Sequence, residues 1–301
     1  MWDVLGFGVV AVDDIVYVDA YPPSDSKAPV VAEKRDGGGL AGTALVAAAR
    51  LGARTAYGGI LGDDDLSRFT LAEFEREGVD CSLVVRQPGA RPVHSIIIVD
   101  RSNGHRTILY SGVMTPPPLQ DVAQAIAQSR VLFVDSTIAA WALDALRLAH
   151  EHGVAVVADL ERRPGQVVSD LGAAVDHLIL GSAFASQMTG KSEPADMVRS
   201  LRTPAHAACV VTTGGDGCWY ATRASDEIRH LPAFKVQAVD TTGCGDVFHG
   251  AYAASIARGE PIERALTVAT ATAGLKATRP GGRNGIPDRA EVEQFLRQHG
   301  R

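Results

Sequence analysis

Cysteine is scarce and unpatterned in this chain. Cys81, Cys209, Cys218 and Cys244 are its four cysteines, and no two stand at C-x-x-C spacing. A zinc site or a disulfide framework is not expected, and a reducing cytoplasm fits best. Basic residues form no block: 29 Lys and Arg face 35 Asp and Glu, a net charge of −6. Such a chain has little with which to recruit nucleic acid or an anionic membrane. No apolar run reaches the length of a bilayer span. The first residues, Met1-Trp2-Asp3-Val4-Leu5-Gly6, lack a basic n-region. They read as the approach to a first buried strand rather than a signal peptide. Familiar phosphate-binding motifs are missing too. The stretch Gly37-Gly38-Gly39-Leu40-Ala41-Gly42-Thr43 is not G-x-G-x-x-G with an acid at the dinucleotide spacing, and it lacks G-K-[ST].

What is present is an ordinary globular balance over 301 residues, 46% apolar and 21% charged. The pattern from Leu119 onwards is regular. Helix 121–128 leads to strand 131–135, helix 139–152 to strand 154–159, and strand 177–180 to helix 182–188 and strand 208–212. This alternation predicts an α/β fold with a doubly wound, mainly parallel sheet. Val4 to Val10 reads as a central strand with Asp13 and Asp14 at its carboxyl end, where open α/β sheets bind ligands. On position alone, a turn with solvated acids is the better explanation of that pair. Two regions interrupt the α/β pattern, about 14–36 and 91–113. Their short β-like runs, with an Asn103-Gly104 hairpin turn in the second, predict one small sheet. The whole chain, 1–301, is expected to be one domain with that sheet as a lid. Gly62-Asp63-Asp64-Asp65 reads as a turn and helix cap rather than a metal site, because the three acids are adjacent.

The stretch around which the rest is organised is Val239-Asp240-Thr241-Thr242-Gly243-Cys244-Gly245-Asp246-Val247-Phe248-His249-Gly250. Small residues before a helix leave bare N–H groups, which with the helix dipole make a seat for an anion. An acid in that seat suits general-base chemistry next to a phosphate. A plain helix N-terminus with a first-turn acid is the simpler alternative.

The run closely resembles the signature of the PfkB (ribokinase-like) carbohydrate kinases. The resemblance covers nearly the whole chain and implies a ribokinase-like fold with ATP and Mg²⁺ as cofactors. It implies Asp246 as the base, with Gly243, Cys244 and Gly245 forming the anion hole. It makes Asp240 and Thr242 candidates for a monovalent cation site, K⁺ among the ions considered. The triple-glycine stretch and its A-A-A-R-L-G helix are similar to the family's sugar-binding segment. That similarity implies Asp13, Gly38, Gly39 and Thr43 as sugar contacts, with Lys27 as a candidate for an anionic group. Val211-Thr212-Thr213-Gly214-Gly215-Asp216-Gly217 is similar to the family's nucleotide strip, giving Thr212, Gly214 and Gly217 to ATP. The lid surface implies a homodimer.

Phe234 through Gly250 and Leu275 through Gly282 look closest to sulfofructose kinases. Those enzymes place an Asn in the second lid segment and Asp-Val-Arg-Trp after the middle strand. Here Leu109 and Asp135-Ser136-Thr137 stand in those places. Without an Arg, a doubly donating partner for sulfonate is lost. A neutral sugar, or one whose anion is held by Lys27 alone, fits better. The family's N-x-x-E is replaced by Gly181-Ser182-Ala183-Phe184, which leaves magnesium to the ATP phosphates and water. The expected activity is ATP-dependent phosphoryl transfer to a sugar hydroxyl, primary in this reading. A nucleoside kinase is the second reading, with Tyr17 and Tyr110 as the available base clamp. A sugar-binding regulator without catalysis is the third.

Overall fold

The computed structural model describes residues 1–161 and 165–301. The chain opens with β1 (Val4–Phe7), β2 (Ala11–Val18), β3 (Ala32–Gly38) and α1 (Leu40–Arg50). Next come β4 (Thr55–Leu61), α2 (Asp65–Arg76), β5 (Val79–Arg86), β6 (Val93–Asp100) and β7 (Arg106–Ser111). The regular alternation then follows: α3 (Leu119–Ala127), β8 (Val131–Asp135), α4 (Ala139–Glu151), β9 (Ala155–Asp159), α5 (Gln166–Ala174), β10 (His177–Gly181) and α6 (Ser182–Thr189). It closes with α7 (Pro194–Leu201), β11 (Ala208–Thr212), β12 (Cys218–Thr222), β13 (Ser225–Leu231), α8 (Cys244–Ala257), α9 (Ile262–Ala277) and α10 (Arg289–Gln298).

Nine strands form one sheet in the order β13-β12-β11-β10-β9-β8-β1-β4-β5. It is parallel except where β12 pairs β11 and β13 pairs β12. Successive strand residues point to opposite faces, and both faces are covered. Val4, Val131 and Phe133 pack with α1, α8 and α9 in one core. Leu5, Leu132 and Val134 pack with α3, α4 and α7 in the other. That two-sided burial is why these strands read as continuous apolar runs.

A second sheet has the order β3-β2-β6-β7. It joins the two segments expected to pair, although its edges differ from the sequence reading. The first strand ends at Phe7, not Val10. Gly8, at φ +143°, breaks it, and a Cβ there would overlap the Asp135 carboxylate. The chain then turns into β2, so Asp13 and Asp14 lie inside a strand of the small sheet rather than at the end of β1. Likewise Gly37 and Gly38 close β3, and α1 begins at Leu40, so the triple-glycine stretch is divided between a strand end and a helix start. Pro29 to Val31 is loop, and the strand expected there starts at Ala32. Asp64 caps α2 by accepting from the Ser67 N–H at 2.9 Å, in accord with the cap reading of the acidic triplet.

Candidate active site

The parallel strands end on one edge at Phe7, Asp135, Asp159, Gly181 and Thr212. Two helix N-termini meet there. Gly250 of α8 lies so close to α1 that a Cβ would overlap the Ala44 carbonyl. With no side chain in the way, the two helices start side by side. A Cβ built on Gly243 would stand 3.6 Å from the Thr43 Cγ2 and 3.8 Å from an Asp246 carboxylate oxygen. Thr43 itself is buried in the first turn of α1.

Gly243 has φ +74°, a left-handed conformation that glycine adopts at least cost. Helix α8 begins one residue later, so Cys244, Gly245 and Asp246 make its first turn rather than preceding it. The first carbonyls to be used are those of Thr241, which accepts from Cys244 N at 3.2 Å, and Gly243, which accepts from Val247 N at 2.9 Å. The N–H groups of Gly245 and Asp246 find no backbone acceptor among the described residues. This is the bare helix start that the sequence promised.

Asp246 is held well above the ordinary carboxylate range, first by burial and then by the charges of Asp159 and Glu161. The Arg283 guanidinium opposes them. Asp159, at the end of β9, is also pushed up to about 6 by burial. It faces His249, whose Nδ1 lies 3.3 Å from its Oδ2. The same Nδ1 is 2.8 Å from the Gly245 carbonyl, and Nε2 is 3.0 Å from the Ile179 carbonyl. His249 thus ties the first turn of α8 to β10. Sequence reasoning passed over it; its one signal was a histidine set in the apolar face of α8.

Asp13 approaches from β2. Its carboxylate fills the space that a side chain on Gly38 would need. Burial raises its pKa, and Ser95 and the Arg283 charge pull it back. Gly39, at φ +88°, carries the chain into α1 under the Val9 carbonyl. Asp135 fixes this corner from below. Fully buried, it accepts from Val9 N at 2.7 Å and from Thr137 N at 2.9 Å. Asp135 is therefore spent on holding the kink, while the Ser136 hydroxyl donates to the Glu161 carbonyl at 2.9 Å.

Asp240 uses both carboxylate oxygens internally. Oδ1 accepts from Thr242 N at 2.9 Å and Oδ2 from Gly281 N at 2.8 Å. The Thr242 hydroxyl accepts from Arg106 of β7, which brings the small sheet onto the signature turn. Of the two loop arginines, Arg279 pairs with Glu291. Arg283 is 2% exposed and donates from Nη2 to the Gly38 carbonyl at 2.7 Å.

The remaining expected contacts are less convergent. Thr212 ends β11 beside Gly181. Gly214 and Gly215 are exposed with open space around them. Gly217 instead closes the turn, at φ +100° against the Leu231 carbonyl. Lys27 lies exposed on the long loop between β2 and β3, with no described contact to the site.

The pfkB family carbohydrate kinase model matches residues 7–289. The chain belongs to that family. This kinase is 28% identical to a ribokinase of Haemophilus influenzae over 86% of its own length and 87% of that protein. It is also 28% identical to fructokinase-1 of Oryza sativa, over 97% of each chain. Its fold matches the structure of Arabidopsis thaliana ribokinase complexed with ribose and ATP, with a TM-score of 0.86 at 20% identity and coverage of 97% and 98%. The ribokinase-like architecture inferred from the signature is the architecture observed.

Proposed function

We propose that this carbohydrate kinase moves the γ-phosphoryl group of ATP to a primary hydroxyl of a neutral sugar, with Asp246 as the base. One observation carries the reading: a half-buried carboxylate stands in a helix turn with bare N–H groups, and the glycine that opens the turn lies beside both that carboxylate and the buried threonine of a second helix start. The sugar would lie over Gly38 and Gly39, between Asp13 and Thr43. Its hydroxyl gives its proton to Asp246 and forms a bond to the γ-phosphorus as the bond to the β-phosphate oxygen breaks. The Gly243, Cys244 and Gly245 turn takes up the charge on the transferred group. Thr212 and Gly214 line the nucleotide's side, with Gly217 shaping their turn. Magnesium, when bound with ATP, spreads the phosphate charge. Among the described residues no three candidate ligands converge on one point, so the nucleotide's phosphates and water would hold it.

A neutral sugar is favoured because two nearby cations are engaged and a third, Arg283, is enclosed beside Asp13 and Asp246. Lys34 pairs with Asp36 at 2.7 Å, and Arg106 donates to Thr242. The whole chain acts as one kinase domain in this reading, working in the cytoplasm. The sheet built from about 14–36 and 91–113 is its lid, and closing it would keep water from the transfer. Ile96, Ile108 and Leu109 of that sheet are 44%, 47% and 55% exposed. Apolar exposure on one small sheet supports a homodimer through the lid; sedimentation at micromolar protein should give twice the chain mass, and a monomer there would remove the dimer.

The test of function is ADP release with Mg-ATP across ketoses, aldoses, sugar acids, sugar phosphates, sulfofructose and nucleosides. Turnover on a neutral sugar is expected. Turnover confined to nucleosides, or to sulfofructose, would overturn the substrate assignment.

A further inference from the structure

The least expected charge in the molecule is Lys276. It stands in the last turn of α9 and its side chain has 0% exposure. A buried ammonium is costly unless oxygen atoms replace its water. Here Nζ donates to the Asp240 carbonyl oxygen at 2.8 Å and lies 4.0 Å from Asp240 Oδ1. The same aspartate organises two segments, through Thr242 N on one side and Gly281 N on the other. The Ala277 carbonyl, one residue beyond the lysine, accepts from Val239 N at 2.7 Å and Asp240 N at 3.1 Å. The ammonium therefore sits at the joint between the signature turn and the loop after α9. A carbonyl oxygen with a carboxylate oxygen of the same residue close by is the kind of donor pair a dehydrated monovalent cation takes.

We infer that Lys276 is a built-in monovalent cation: its ammonium occupies the junction where the carbonyl and carboxylate oxygens of Asp240 would otherwise hold an external ion, so the transfer needs no potassium. The inference rests on the kinase reading above. It changes the role of Asp240 and Thr242, which become the turn that Lys276 braces. An external ion is present only in proportion to its concentration, whereas a side chain is always in place. The lysine also suits its position, since a cation is favourable at a helix C-terminus.

The experiment uses the intact kinase with its sugar and Mg-ATP. Potassium is varied at constant ionic strength against tetramethylammonium, which is too large for the junction. For the wild type, kcat should change by less than about twofold. Lys276→Ala should lose kcat by about tenfold to a hundredfold in tetramethylammonium and regain most of it in potassium or ammonium. A second readout is independent of turnover: potassium should raise the melting temperature of Lys276→Ala and not of the wild type. Strong potassium activation of the wild type would overturn the inference, as would a folded Lys276→Ala that is fully active without potassium or is not rescued by it. Should Lys276→Ala not fold, the wild-type potassium response decides alone. A wild type that phosphorylates no sugar in any salt would instead bring down the kinase reading.

Discussion

Asp246→Asn should lower kcat by about a thousandfold or more while leaving the KM for ATP and sugar nearly unchanged. The substitution keeps the size and planar shape of the side chain, replaces one acceptor oxygen by an NH2 donor, and removes both the charge and the ability to take a proton. Stability should move the other way. Burial, Asp159 and Glu161 raise the Asp246 pKa in the fold. A carboxyl whose folded pKa lies above its unfolded value binds its proton more readily in the native state. Its stability contribution is then greatest at low pH and falls as pH rises from the ordinary carboxylate range through the raised value. At neutral pH and above, the folded protein carries the cost of a charged, crowded Asp246. The amide has no such cost, so Asp246→Asn should melt at a higher temperature, and the difference should grow between acid and mildly alkaline buffer. A variant that lost both activity and stability would identify Asp246 as structural. The paired result, an inactive protein that is more stable, is what a strained functional group produces.

The motif around Asp246 was legible because its information is local. Small residues and an acid just ahead of an apolar, helix-compatible run are a helix-start signal that lies within a few residues of sequence. Its exact first residue was not legible. Cys244 and Gly245 are poor helix formers, and α8 packs closely on α1 at Gly250, a tertiary contact that local propensity does not carry. The same holds for β1. Val9-Val10-Ala11 is as apolar as Val4-Leu5, and the stop at Gly8 is set by Asp135, which accepts from Val9 N across 126 residues of chain. Strand β5 went unseen because its pattern, VDCSLVVR, alternates poorly and lies at a sheet edge. Helices α5 and α7 are nine and eight residues long, too short for periodicity to stand out. Asp13, Gly38 and Thr43 were assigned to a sugar by resemblance, and the structure places Asp13 against Gly38 and Thr43 one helix turn away, its N–H on the Gly39 carbonyl. Lys27 was named on the same grounds and stays on an exposed loop. Buried polar residues were the least legible class. A sequence shows that Lys276, His249 and Arg283 are polar, but not that the fold encloses them.

Arg283→Met should raise the sugar KM by about tenfold or more, with the KM for ATP nearly constant and stability little changed. The guanidinium occupies the space where Gly37 and Gly42 lack side chains and lies over the Phe74 ring, 5.3 Å from its centroid. Of its nitrogens Nη2 bonds the Gly38 carbonyl, while Nε and Nη1 are buried without a partner. An arginine kept only for stability would satisfy its donors. Replacing one that does not, with an apolar chain of similar length, should cost little, because the lost bond and ring contact are offset by relief of a buried charge. What Met cannot supply is the positive charge beside Asp13 and Asp246, both of which Arg283 holds down. Without it both carboxyls should keep their protons to higher pH, so the acid limb of kcat/KM should move upward. Arg283→Lys keeps the charge but not the planar fork, and should restore the limb more fully than the sugar KM. If instead both KM values rise together with a large fall in melting temperature, Arg283 is a core residue and the sugar cradle stands without it.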